Sequence, residues 1–396
     1  MSFDKNKALI IDPACHSNAG HNADSVLRFA KKLSEQYLVE LAISGASNKI
    51  KNSSFKTYEI VNLYPSLYLD LINYTWVTKL YSWYLKLLHR IPGIIVYRAV
   101  IARFFVWRLI RKCQLKDGDL IFFPSCDYYY ANQFIDAIAK SDLNVSLKLR
   151  FIGVLENERI SSNWTGRRKI LSQLRSIKEK VNLILTAETN RLSDYISNLT
   201  GINVKVEVYP LKQNQSLKYE SDKYDNTLSI SCPGASRSDK GSFDMNHILQ
   251  ESLNRYGNSV MFNIQKIRKG DISWCRNAEK LAKIYPNLKL LDAHVPRDEF
   301  EQYILNSDIV LLPYDPMVYW NRGSAIFFES IERSKYMIGR GGCSFVDEMS
   351  EHGIIDKYYS IEQLTSIIEA LISKPKEYIV KEGIRRHHVY KSLVGK

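Results

Sequence analysis

Cysteine is scarce and scattered in this chain. The six residues, at positions 15, 113, 126, 232, 275 and 343, include no CxxC pair. That excludes a zinc-finger set and a disulfide framework, and it suits a reducing compartment. Low-complexity tracts and long uninterrupted apolar runs are missing as well, so disorder, collagen and coiled coil are set aside. The first residues, MSFDKNKALIID, lack the charged-then-apolar order of a signal peptide, and a cytoplasmic protein is expected. Acids are in short supply too: 42 Asp and Glu stand against 55 Lys and Arg, for a net charge of +13. Such a surplus points to an anionic partner. With 396 residues, 45% of them hydrophobic, the chain has room for two or three domains with cores of their own.

The surplus is local. Residues 64–116 hold nine Lys or Arg against one acid, Asp70, or +8 of the +13, together with eleven aromatics. At ~100° per residue, Trp76, Leu80, Trp83 and Leu87 share one helical face, with Lys79, Lys86 and Arg90 about 60° away. Pro92-Gly93 breaks that helix before IIVYRAVIARFFVWRLIRK. Arg98, Arg103 and Arg108 interrupt the second segment, and a membrane span needs ~20 largely apolar residues, so it does not cross. Basic, aromatic helices of this kind lie in the plane of an anionic membrane surface. The plainer reading is cover for the domain's own core with a solvated cationic face. No RRM, KH, zinc-finger or helix-turn-helix pattern accompanies the charge, so nucleic acid is not expected.

Elsewhere short apolar runs alternate with helical periodicity, the mark of parallel α/β sheets. Strands are expected at 8–11, 39–43, 120–123, 147–154, 183–186 and 204–208. Residues 212–226 are polar and aperiodic, which reads as a linker. A second series follows at 227–231, 259–264, 288–291 and 308–312. The expected organisation is therefore an N-terminal, acceptor-side doubly wound domain (1–211) carrying the basic insertion at 64–116. After the linker come a second doubly wound domain (227–375) and a C-terminal helix (376–396) that packs back on the first. Ligands in such sheets bind beyond the carboxyl ends of the strands, which proposes a site between the domains.

Two stretches carry candidate chemistry. In SISCPGASRSDKGSF, residues 229–243, a strand ends, Pro233-Gly234 turns the chain, and Arg237 and Lys240 follow, placed to neutralise a diphosphate. The other reading is a surface loop. After the strand at 308–312 come Tyr314 and then Gly323-Ser324, which caps a helix opening at Ala325 whose first N–H groups attract an anion. Glu329 lies one turn further on the same face, within reach of ribose hydroxyls. The alternative is a glutamate buried for packing.

In these residues the chain resembles the retaining GT-B glycosyltransferases called group 1, a family-4-like class of bacterial glycan-assembly enzymes. The resemblance implies two Rossmann-like domains, with Arg237, Lys240 and Gly241 matching the family's diphosphate-binding pattern. Glu329 matches the second of its two glutamates, which holds the donor ribose. Position 321, where the first belongs, is Asn321. The strand at 336–339, Gly341-Gly342 and then Glu348 match the family's glycine pair and downstream acid. The loop DPACHSNAGHNAD, residues 12–24, with His16, Gly20 and His21, looks like the family's acceptor loop. Glu156, Glu158, Asp127 and His21 are the candidates for a general base, should one be needed.

The expected activity is transfer of a sugar from a nucleotide-sugar to a hydroxyl of a lipid-linked cell-surface glycan, such as O-antigen, capsule or exopolysaccharide. The enzyme would sit peripherally on the inner face of the cytoplasmic membrane and need no metal or other cofactor. Its rivals are a nucleotide-sugar epimerase on the same scaffold and a non-catalytic membrane-surface protein with a degenerate fold.

Overall fold

The computed structural model describes residues 5–15, 22–44, 50, 53–63, 76, 80, 83–84, 94–153, 173–175, 177–179, 181–210, 227–234, 237–266, 272–292 and 295–394. The chain forms two compact units, Met1–Pro210 and Leu211–Lys396. The linker expected at 212–226 lies outside the described residues, as does most of the insertion before residue 94.

The first unit contains strands β1 (Lys7–Asp12), β2 (Leu38–Ile43), β3 (Lys56–Glu59), β4 (Leu120–Phe123), β5 (Ser146–Phe151), β6 (Asn182–Ala187) and β7 (Val204–Val206). They form one parallel sheet in the order β3-β2-β1-β4-β5-β6-β7. Helices α1 (Asn22–Ser34), α2 (Ile94–Cys113), α3 (Tyr128–Ile138) and α4 (Asn190–Thr200) pack on it. Side chains alternate across the sheet. Leu9, Ile11, Ile121 and Phe123 join Phe105 and Leu109 of α2 and Phe134 of α3 in one core. Ala8, Ile10 and Phe122 join Val26 and Phe29 of α1 in the other. Burial on both faces explains why β1 and β4 read as apolar runs.

The second unit holds β8 (Leu228–Cys232), β9 (Val260–Gln265), β10 (Leu288–Leu291), β11 (Ile309–Leu312), β12 (Tyr336–Arg340) and β13 (Asp356–Tyr358). They are parallel, in the order β10-β9-β8-β11-β12-β13. Its helices are α5 (Ser242–Tyr256), α6 (Ile272–Ile284), α7 (Arg297–Leu305), α8 (Pro316–Tyr319), α9 (Ala325–Glu332), α10 (Ser344–Glu351), α11 (Ile361–Ile372) and α12 (Lys376–Val394). The C-terminal helix α12 packs on β12 and α9. Gly383 meets the Ser334 backbone so closely that a Cβ there would lie 2.0 Å from its oxygen. Arg386 pairs with Asp356 at 2.8 Å and lies 3.8 Å from the centroid of the Tyr336 ring.

Both strand orders reverse direction once, between β1 and β4 and between β8 and β11. Connections leave such a switch point on opposite faces and open a crevice at the carboxyl ends, the preferred ligand position in open α/β sheets.

One buried cation ties the carboxyl edge of the first sheet together. Arg150 of β5, 2% exposed, donates from Nη1 to the Pro124 carbonyl at 2.9 Å, from Nη2 to Glu188 at 2.7 Å and from Nε to the Glu207 carbonyl at 3.1 Å. Removing one partner of a buried pair strands the other. Arg150→Ala is therefore expected to destabilise the fold by about 3–5 kcal/mol, read as an earlier unfolding transition in urea.

Candidate functional site

At the end of β8 the chain turns through Gly234, at φ +90°, whose N–H donates to Gln265 Oε1 at the end of β9, 2.9 Å away. Arg237 then leads into a single 3-10 turn, Ser238–Lys240, closed by Gly241 at φ +83°. A Cβ on Gly241 would fall 1.8 Å from the Pro313 carbonyl oxygen, so this turn lies flat on the loop that leaves β11. The Asp315 N–H donates to the Asp239 carbonyl at 3.1 Å across the same seam. The two loops of the β8/β11 switch point thus form one layer.

Lys240 is the point of convergence. Its Nζ occupies the space beside Gly234, where a Cβ would come within 2.8 Å of it, and lies 5.5 Å from the Tyr314 ring centroid. Burial lowers its pKa to about 8; the Arg237 charge acts in the same direction, while Asp239, Cys232 and Glu329 oppose it. Burial pushes the Tyr314 hydroxyl far above its usual range, and Ser324 Oγ lies 3.4 Å from it. Ser324 also caps α9 by accepting from the Phe327 N–H at 3.2 Å. Ile326 reaches back to within 3.6 Å of the same Gly234 position. Glu329 is buried on α9.

The expected residues Gly234, Lys240, Tyr314, Ser324 and Glu329 are therefore brought together, with Gly323 and Ala325 on either side of the cap. Arg237 is at the rim, 53% exposed, and Asp239 holds its Nε and Nη2 at 2.9 and 2.8 Å. Tyr319 places its hydroxyl 3.5 Å from the same carboxylate. Sequence reading missed Asp239, Gln265 and Tyr319; only Asp239, two residues from Arg237, left a local signal. Gly342, at φ +90°, gives its N–H to Asp347 at 3.1 Å. Glu348 accepts from Ser344 Oγ at 2.6 Å.

In the first unit, His16, Gly20, His21, Glu156 and Glu158 lie outside the described residues. Asp127 caps α3, its Oδ1 accepting from the N–H groups of Tyr129 and Tyr130 at 2.9 and 3.0 Å. Burial nevertheless pushes its carboxyl up to about 6. Asp12, missed in the sequence, ends β1 beside it across the β1/β4 switch point. It is 2% exposed, accepts from the Ala14 N–H at 2.9 Å, and is raised to about 7 by burial first and the Asp127 charge second.

No protein-family model matches the chain, and no curated protein does. Solved structures match it along nearly its whole length. One is HepE from Anabaena in complex with UDP, 12% identical, covering 98% of this chain and 95% of that one at TM-score 0.66. Another is the sucrose-phosphate synthase of Thermosynechococcus elongatus, 11% identical, with 97% and 94% covered at TM-score 0.63. A third is a trehalose-6-phosphate synthase studied for glycosyl transfer with retention, 13% identical, with 98% and 94% covered at TM-score 0.62. The chain shares their fold, GT-B.

Within this GT-B chain the seam at Gly241 is the least tolerant point of the site. A side chain there meets both the Pro313 carbonyl and a left-handed backbone, which alone costs about 1–2 kcal/mol for a residue other than glycine. Gly241→Ala is expected to lower the melting temperature by several degrees; an unchanged melt would mean that the two loops are not held together at this contact.

Proposed function

We propose that the protein is a glycosyltransferase that moves a sugar from a nucleoside-diphosphate donor to a hydroxyl of a lipid-linked cell-surface glycan. The observation that carries this reading is the half-buried Lys240 at the β8/β11 switch point, its ammonium packed beside Gly234 and Tyr314 near the start of α9. A desolvated cation at a helix N-terminus is suited to an anion. UDP in the similarly folded HepE structure makes a nucleoside diphosphate the natural candidate.

In this scheme Lys240 and Arg237 neutralise the diphosphate as the glycosidic bond breaks, and the first free N–H groups of α9 complete the electrostatic cradle. Glu329 accepts from the ribose hydroxyls. Asp239 holds Arg237 in place until the phosphate takes over part of its donor set. Transfer proceeds with retention, the departing phosphate taking the acceptor's proton, so that no protein base and no metal ion enter the scheme. The acceptor is lipid-linked because the basic aromatic segment, residues 64–116, suits an anionic membrane, at the inner face of the cytoplasmic membrane. An epimerase would act on donor alone, so incubation without acceptor separates the two activities.

Lys240→Ala is expected to reduce turnover about 10²-fold or more, the usual effect of losing one electrostatic contact to a developing charge. A thermal-shift comparison of UDP, GDP, CMP and ADP identifies the base: a ligand at 100 times its Kd stabilises by ~2.7 kcal/mol. No shift with any of the four would overturn the reading.

A pH dependence follows from the lowered Lys240. The free protein loses the Lys240 proton near pH 8, whereas a bound diphosphate favours the charged form and raises that pKa. Affinity for the nucleotide is then full below pH 8, falls as pH rises above it, and binding there takes up a proton. Calorimetry in buffers of different ionisation enthalpy measures that uptake, and Lys240→Arg should abolish it.

A further inference from the structure

Tyr319, the last residue of α8, packs its ring as a phenylalanine would. It is 7% exposed, with its ring centroid 4.5 Å from that of Tyr314 and 6.3 Å from that of Phe345. A buried tyrosine hydroxyl needs a partner, and this one faces the pair at the rim of the site. Its O–H donates to Asp239 Oδ2 at 3.5 Å, and the Arg237 guanidinium lies within reach of the same hydroxyl oxygen. Burial first and the Asp239 charge second push that hydroxyl up to about 12, so at neutral pH it keeps its proton and remains a donor. Arg237 meets Asp239 side-on, through Nε and Nη2. A guanidinium engaged that way still has the donors at the end of its fork, on Nη1 and Nη2, for an oxyanion. Of the three residues Arg237 has the most freedom to swing, its side chain being 53% exposed against 22% for Asp239. Asp239 is gripped twice by α8. Its carbonyl accepts from the N–H of Asp315, the residue that caps this helix, at 3.1 Å, and its carboxylate meets Tyr319 at the helix's other end.

We propose that Tyr319 is a positioning residue for the donor's diphosphate: its hydroxyl fixes the Asp239 carboxylate, and through it the Arg237 guanidinium, with the end of the fork left open to phosphate oxygens. The inference deepens the proposed function and rests on its diphosphate site. A long side chain at the rim of a site ordinarily loses its rotamer freedom at the moment of binding, which weakens the complex. Here that freedom is given up on folding, before the ligand arrives. Phenylalanine would serve the contacts with Tyr314 and Phe345 equally well, so the hydroxyl alone carries the role. Tyr319 acts through Arg237 and need not touch the nucleotide.

The test joins two measurements on the full chain. The first needs no ligand: in arginine-labelled protein the Nε–H signal of Arg237, assigned by its loss in Arg237→Ala, reports the bond to Asp239. Tyr319→Phe keeps the ring and alters no charge, so it should melt as the wild type does while that proton exchanges faster with solvent. Asp239→Ala, which leaves the ring packing of Tyr319 untouched, should free the same signal. The second is calorimetric titration with UDP, GDP and ADP, continued with the tightest of them. Tyr319→Phe should weaken binding about two- to tenfold, the effect of leaving one long side chain to be ordered on binding. In an Arg237→Ala background the same change should have no further effect, because residues that act as one unit are not additive. An Nε–H signal that Tyr319→Phe leaves unchanged overturns the inference, and so does unchanged nucleotide affinity. A loss that persists without Arg237 overturns it as well, by making Tyr319 a direct ligand of the nucleotide. Wild-type protein that binds none of the three nucleotides, with the Nε–H effect intact, rejects the transferase reading and leaves the hold on Arg237 standing.

Discussion

The candidate site depends on one contact, the backbone of Gly241 against the carbonyl of Pro313. In a parallel sheet the loops after β8 and β11 leave on different faces and have no intrinsic reason to meet. Here a residue without a Cβ lets them touch, and the hydrogen bond from Asp315 to Asp239 closes the seam. That closure sets where the two cations of the site lie. Lys240, one residue before the glycine, is turned inward over Tyr314. Arg237, on the other side of the 3-10 turn, is left at the rim. The same two cations in an open loop would be solvated and interchangeable.

Their inequality has an energetic basis. Burying an ammonium is unfavourable, and a guanidinium nearby adds to the penalty, which is why the Lys240 proton is held less tightly than usual. Asp239 and Glu329 offset part of this, and Asp239 does so while also fixing Arg237. On the proposed function, the free site is therefore held in a state that an incoming anion relieves. That is electrostatic preorganisation in its simplest form: charges are set before the charge they are meant to meet. The first unit shows the opposite sign of the same effect. Asp12 and Asp127 stand at the ends of neighbouring strands, and burial disfavours their ionisation.

How much of this was legible in the sequence depended on whether the signal was local. β1, β4, β8 and β11 are short apolar runs because both faces of a central parallel strand are covered, and that pattern survives in one dimension. β3 and β13, the KTYE and DKY segments at sheet edges, carry no such pattern and were passed over. Arg237, Lys240 and the Ser324 cap were readable as spacing. What could not be read was which cation would turn inward, because the answer lies in Gly234, Tyr314 and Pro313, brought together only by the pairing of β8 with β11. Asp12 was missed for the same reason: its character comes from the pairing of β1 with β4, whereas alone it reads as the last residue of a strand. Which side of α2 would pack against the core was not readable, since apolar and basic residues alternate along it.

The departure at position 321 fits the electrostatics. Asn321 is fully buried, just ahead of the cap that opens α9. A carboxylate there, as the resembling family has, would be a third acid for a site whose two cations are already matched by Asp239 and Glu329. An added carboxylate favours the charged form of any cation it lies near and lowers the potential offered to a phosphate. With a neutral amide at 321, no further acid competes for the two cations before an anion arrives. On the proposed function, the cations would then answer mainly to the donor's phosphates rather than to a carboxylate at position 321.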